Sequence, residues 1–128
     1  MTDGTVLVVD DDPVIVKLLQ VNFEMEGYRV LTATDGEQAV RRARDEHPDA
    51  VVLDVMMPGT DGLEVARRLR ADPATRTLPI VLLSAKAQAS DIVAGKDLAD
   101  EYVTKPFDPL DLLDRVADLV ARRSDPLA

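Results

Sequence analysis

Residues 6–13 read VLVVDDDP, four apolar residues running straight into three aspartates and a proline. A short valine-rich run with no polar position predicts a strand buried on both faces. Three adjacent carboxylates at its end repel one another unless a turn, a helix N-terminus or a cation shares the charge. Asp12-Pro13 reads as an N-cap followed by proline at the first helical position. A buried strand that passes through an acidic turn into a capped helix is the opening of a β-α unit.

The unit recurs along the chain. Apolar runs at 6–9, 28–31, 50–53, 80–83 and 102–103 alternate with segments of helical spacing. Val14, Ile15, Leu18, Leu19 and Phe23 form one apolar stripe, Ala39, Val40 and Ala43 a weaker one, and Leu63, Val65, Ala66 and Leu69 a third. A shorter helix is predicted over 90–98, and Leu110, Leu113, Val116, Ala117 and Val120 mark the last. Glu26-Gly27 closes the first helix, HPD (47–49) separates the second from the third strand, and ADPATRTLP (71–79) is a polar connector. The pattern is (βα)5, an α/β domain whose parallel five-stranded sheet carries helices on both faces.

Composition sets the function classes. The 128 residues are 46% apolar and 30% charged, the balance of a folded globular domain. Phe23, Phe107, Tyr28 and Tyr102 are the only aromatics, so the core is aliphatic. A net charge of -9 argues against direct nucleic-acid binding, which depends on Lys and Arg neutralising phosphates. The absence of cysteine excludes disulfides and thiol chemistry, and the single histidine, His47, leaves no imidazole cluster for a metal. His47 itself reads as a surface helix end before Pro48. No signal peptide is visible and no apolar run approaches the ~20 residues that span a bilayer, so the expected location is the cytoplasm, with no membrane contact.

Ligands of open parallel α/β sheets bind beyond the carboxyl ends of the strands. The first strand is followed there by Asp10 and Asp11, the third by Asp54, the fourth by Ser84 and the fifth by Lys105-Pro106. Lys105 offsets one of the three carboxylate charges, and a divalent cation would offset the other two. An oxygen-only donor set favours Mg²⁺ or Mn²⁺ over zinc. A carboxylate beside such a cation can attack a phosphoryl group and form an acyl phosphate. Asp12 has the simpler role of capping the helix.

VLVVDDDP, VVLDVMMPGTDGLE (51–64), PIVLLSAK (79–86) and EYVTKPF (101–107) together resemble the receiver domain of two-component response regulators, from about residue 5 to about 120. The resemblance implies a flavodoxin-like fold with strand order 2-1-3-4-5 and phosphorylation by a histidine kinase or phosphotransfer protein. By the same resemblance Asp54 is the phosphoacceptor, and Asp10, Asp11, Asp54 and the Met56 backbone carbonyl hold Mg²⁺. Lys105 and Ser84 contact the phosphoryl group, Ser84 and Tyr102 form the switch pair, and the bond preceding Pro106 is cis. Met56 and Lys86, each two residues beyond a site residue, tune dephosphorylation; an apolar Met56 predicts slow loss of the phosphoryl group. The protein is then a phosphoacceptor switch rather than an enzyme acting on a separate substrate. Its partners would be the phosphodonor and a downstream protein or an output domain outside this chain, with a homodimer on phosphorylation also open.

Two features depart from the family pattern. DLADEY (97–102) lacks the glycine expected before Ala99, and the span from Ser84 to Lys105 is one residue short, so the helix over 90–98 should end differently. The chain is expected to be one receiver domain over 1–128, with a core of about 5–121 and a polar tail, RRSDPLA, over 122–128. Two alternatives stand beside this reading. An aspartate-nucleophile phosphohydrolase would suit Asp10-x-Asp12, but it wants threonine where Val14 stands and leaves Lys105-Pro106 unexplained. A receiver-like module that is never phosphorylated would not need the intact acidic set.

Overall fold

The computed structural model describes residues 4–57, 59–84 and 97–124. We number the five strands of its main sheet β1 (Thr5–Val9), β2 (Arg29–Ala33), β3 (Ala50–Asp54), β4 (Ile80–Ser84) and β5 (Glu101–Thr104). All neighbours run parallel, in the spatial order β2-β1-β3-β4-β5. The helices are α1 (Pro13–Met25), α2 (Gly36–Glu46), α3 (Gly62–Ala71) and α4 (Pro109–Ser124). A small antiparallel ladder, Met56–Met57 with Thr60–Asp61, lies between β3 and α3.

Side-chain alternation in the strands divides the core into two layers. Leu7, Val9, Leu31, Val51, Leu53, Ile80 and Leu82 face α2 and α3, packing with Ala39, Val40, Ala66 and Leu69. Val6, Val8, Ala50, Val52, Val81 and Leu83 face α1 and α4, packing with Leu19, Phe23, Leu112 and Val116. Every residue of β3 and β4 is buried, which is why these strands read as unbroken apolar runs. Phe23 and Tyr28 meet edge to face at 5.4 Å at the base of α1.

The helix boundaries follow local chemistry. The Asp12 side chain accepts the Val14 amide with Pro13 at the first helical position, and Asp35 and Asp61 cap α2 and α3 in the same manner. Gly27 (φ 92) follows the end of α1, and His47 (φ 49) closes α2 as an exposed left-handed residue.

Two expected stripes are corrected in phase. On α1, Ile15, Leu19 and Phe23 face the sheet, whereas Val14 is 72% exposed and Leu18 39%. On α4, Leu112, Leu113, Val116 and Leu119 are buried, while Leu110 and Ala117 point to water. Both helices carry more apolar residues than one face accommodates, and composition alone cannot say which of two adjacent rows meets the sheet. The last helix runs to Ser124, past the expected core boundary. The helix expected over 90–98 lies outside the described residues except for Asp97 and Leu98, which form a turn. Leu98 occupies the position where glycine was expected; its carbonyl accepts Arg70 Nε at 2.8 Å and its side chain packs on the α2–α3 layer.

Candidate functional site

The strand order reverses beside β1, whose neighbours are β2 and β3. Asp10 follows β1 and Asp54 ends β3, so the two carboxylates flank the crevice that this reversal opens. Asp10 is 1% exposed and Asp54 3%, whereas Asp11 is open to solvent. Ligand oxygens of Asp10, Asp11 and Asp54 all lie within 4.8 Å of one another. This all-oxygen trio fits a hard divalent cation such as Mg²⁺ and has no nitrogen or sulfur donor to favour zinc.

Lys105 closes the group from β5. Its Nζ lies 2.9 Å from Asp10 Oδ2 and 3.5 Å from Asp54 Oδ2, while its backbone N–H donates to the Ser84 carbonyl at 2.6 Å. Asp10 Oδ1 accepts the Asp12 amide at 2.9 Å, and Asp54 Oδ1 accepts the Met56 amide at 3.2 Å. The bond joining Lys105 to Pro106 is cis.

The electrostatics of the two buried acids differ. Burial, and then the neighbouring Asp10 charge, push the Asp54 carboxyl up to about 6; Lys105 and the Met56 amide act against this without overcoming it. Burial lowers the affinity of the Lys105 ammonium for its proton, but the Asp10 hydrogen bond and the charges of Asp54 and Asp10 outweigh it, so its pKa is raised. Lys105 therefore remains charged, while Asp54 gives up its proton around pH 6.

The other expected residues are distributed around this centre. Ser84 is buried at the carboxyl end of β4, beside β3. Tyr102 sits within β5 opposite Leu82, packed against the α2–α3 layer, and its buried hydroxyl has no hydrogen-bond partner among the described residues. The Met56 side chain is 69% exposed just beyond Asp54. Lys86 lies outside the described residues, as does Pro58, while Gly59 (φ 71) supplies the left-handed residue of the turn after β3.

Two positions that sequence reasoning left without a site role stand out. A Cβ on Gly62 would lie 2.2 Å from the Asp54 carbonyl oxygen, so α3 abuts the strand that ends in Asp54. Arg70, one of several arginines in ARRLRA, makes four hydrogen bonds to other segments. Neither role has a local sequence signal, because each depends on what the fold brings alongside.

The fold and its acidic crevice define a flavodoxin-like α/β domain. Residues 6–117 match the response regulator receiver domain, and the chain belongs to that family, whose members are signalling proteins. It is 48% identical over 118 residues to the alkaline phosphatase synthesis transcriptional regulatory protein PhoP of Bacillus subtilis, covering 91% of this chain and 48% of PhoP. It is 44% identical over 121 residues to the DNA-binding dual master transcriptional regulator RpaA of Synechocystis, covering 94% of this chain and 50% of RpaA. Among solved structures, the receiver domain of sensor histidine kinase PA1611 from Pseudomonas aeruginosa, with a magnesium ion coordinated in its active-site cleft, superposes with a TM-score of 0.85 at 30% identity over 94% of this chain and 99% of that one.

The chain thus spans about half the length of these curated relatives. That corrects the expectation of no direct nucleic-acid binding, since relatives sharing this half are named as DNA-binding. A net charge of -9 belongs to these 128 residues and says nothing of the remaining length of those relatives. Among the described residues, no helix is long and apolar enough to cross a membrane.

Proposed function

We propose that Asp54 is the phosphoacceptor of a signalling switch, receiving a phosphoryl group from a histidine kinase or phosphotransfer protein. The observation that carries this reading is a buried carboxylate at the reversal of strand order, within 4.8 Å of two further acids and 3.5 Å from an ammonium. An Asp54 oxygen forms the new bond to phosphorus as the donor's phosphorus–nitrogen bond breaks, and the electron pair remains on the imidazole nitrogen. Only ionised Asp54 can attack, and Lys105 favours that form while standing ready for a phosphoryl oxygen. Asp10, Asp11, Asp54 and the Met56 carbonyl would hold Mg²⁺, which supplies neutralisation of phosphoryl charge.

Phosphorylation replaces one charge with about two and adds acceptor oxygens. The Ser84 hydroxyl and Tyr102, on adjacent strands, are the pair that passes this change towards β5. The chain acts as one receiver unit and consumes no separate substrate. Kinship with PhoP and RpaA supports an output in transcriptional control through the rest of a longer protein, and hence a cytoplasmic setting.

With phosphoramidate and Mg²⁺, intact-mass measurement should show a single phosphoryl adduct that Asp54→Asn abolishes. An adduct retained in that variant would move the site elsewhere. Met56 adds a second expectation. Its exposed side chain beside Asp54 presents no polar group to orient an attacking water. Met56→Asn should therefore shorten the half-life of the adduct, by roughly a few-fold, well below the ~10²–10⁴ of a general base, because an amide orients water without taking its proton. A half-life equal to or longer than that of the wild type would remove Met56 from this role.

A further inference from the structure

β5 is the weakest determinant of its own position. It is a four-residue edge strand paired, among the described residues, only with β4, and Val103 is its one buried residue. Val103 and the part-buried Tyr102, on opposite faces, give this strand little burial with which to fix its register, and a slip of one residue would turn every side chain to the opposite face. Lys105 follows directly from this strand, so its delivery to Asp10 and Asp54 depends on something else holding the start of β5.

Arg70 is placed to do this. From the last turn of α3 its guanidinium reaches Leu98 O at 2.8 Å, Arg76 O at 2.8 Å, Leu78 O at 2.6 Å and Asp100 Oδ2 at 3.1 Å. The same Asp100 oxygen accepts the Ile80 amide at 2.8 Å, and the Asp100 amide donates to the Ile80 carbonyl at 2.9 Å. Asp100 is therefore bonded to the first residue of β4 by both backbone and side chain, while Arg70 fastens it to the connectors on either side. The side chain of Arg70 is only 22% exposed and its bonds to the Leu98 and Leu78 carbonyls are part-buried, so its loss would leave those two acceptors short of a donor. The clasp sets Glu101 opposite Val81, and through that register Lys105 opposite the end of β4.

We infer that Arg70 is a positioning residue for Lys105, clasping the start of β5 through Asp100 so that the ammonium at its far end meets Asp10 and Asp54. The inference rests on the reading of Asp54 as phosphoacceptor and Lys105 as its phosphoryl contact. A displaced Lys105 would no longer compete with a cation for Asp10 and Asp54. Arg70→Gln should therefore slow phosphoryl uptake from phosphoramidate by roughly 10-fold, since a displacement of about 1 Å can cost more than this. At the same time it should tighten binding of Mg²⁺ alone, measured by titration without phosphodonor. General loosening of the fold would weaken both.

Lys105→Ala is the reference and should show slower uptake with tighter Mg²⁺ binding. If it takes up phosphoryl groups at the wild-type rate, the reading of Lys105 fails and this inference with it. If Lys105→Ala behaves as expected and Arg70→Gln matches wild type, or loses Mg²⁺ affinity along with rate, the inference alone is overturned. Arg70→Lys keeps the charge without the planar fork and should recover only part of the rate; full recovery would show that charge alone suffices and overturn the clasp. Should Arg70→Gln fail to fold, Asp100→Asn gives the decision: it keeps an acceptor for the Ile80 amide and should produce smaller changes of the same signs, and unchanged values would overturn the inference.

Discussion

Gly62→Ala should lower stability by about 3 kcal/mol, the upper end of the usual cost of overpacking. In an ordinary first helical turn this change would stabilise, because alanine has the higher helix propensity and restricts the unfolded chain. Here the added Cβ would lie 2.2 Å from the Asp54 carbonyl oxygen, 2.7 Å from Val55 Cα and 2.9 Å from the Asp54 carbonyl carbon. All three are backbone atoms, so no rotamer change relieves the overlap. Either α3 withdraws, stretching the 2.8 Å hydrogen bond from the Gly62 amide to the Val55 carbonyl, or the end of β3 bends and carries Asp54 with it. A loss of that size lowers the melting temperature by roughly 10 °C in a domain of this length. Phosphoryl uptake should fall in parallel, because the strand that moves bears Asp54, the proposed acceptor. A variant melting at or above the wild-type temperature would refute the close approach.

The sequence exposes those parts of the fold that local chemistry specifies. Continuous apolar strands, aspartate N-caps and strand-end acids are each written within a few neighbouring residues, and β1, β3 and β4 with Asp10, Asp11 and Asp54 follow from them. Lys105 is legible as a strand-end residue, although its contact with Asp10 is made across 95 positions. What depends on phase or on distant neighbours is not legible. Val14 and Leu18 extend an apolar stripe but face water, because the row through Ile15, Leu19 and Phe23 covers the sheet better. Gly62 matters through a strand eight residues earlier, and Arg70 through carbonyls up to 28 positions away. Net charge is least informative of all, since it averages over these 128 residues, whereas the relative named as DNA-binding is about twice as long.

The pH dependence of stability without metal should run opposite to that of a typical paired carboxylate. Asp54 titrates near 6 in the folded chain, whereas an unperturbed aspartate titrates near 3.9. Between these values the folded state binds more protons than the unfolded state, so stability falls as pH rises through the window. That elevation corresponds to on the order of 2–3 kcal/mol, lost progressively from about pH 4 and fully by about pH 7. The cause is the cost of holding the ionised carboxylate in a buried position beside Asp10, which Lys105 at 3.5 Å only partly offsets. Asp54→Asn removes that charge while keeping an oxygen able to accept the Met56 amide. In the presence of a chelator it should therefore be more stable than wild type at pH 7.5, by about 2 kcal/mol, with the difference vanishing below about pH 4. Adding Mg²⁺ should narrow the gap, since a cation that binds the folded three-carboxylate site stabilises the wild type by mass action and the variant has lost one ligand. The same substitution would thus abolish phosphoryl uptake while strengthening the metal-free fold, as expected of a site whose buried charge is retained for chemistry. Denaturant titrations of both proteins across pH 4–8 decide the matter, and parallel curves would show that Asp54 carries no such burden.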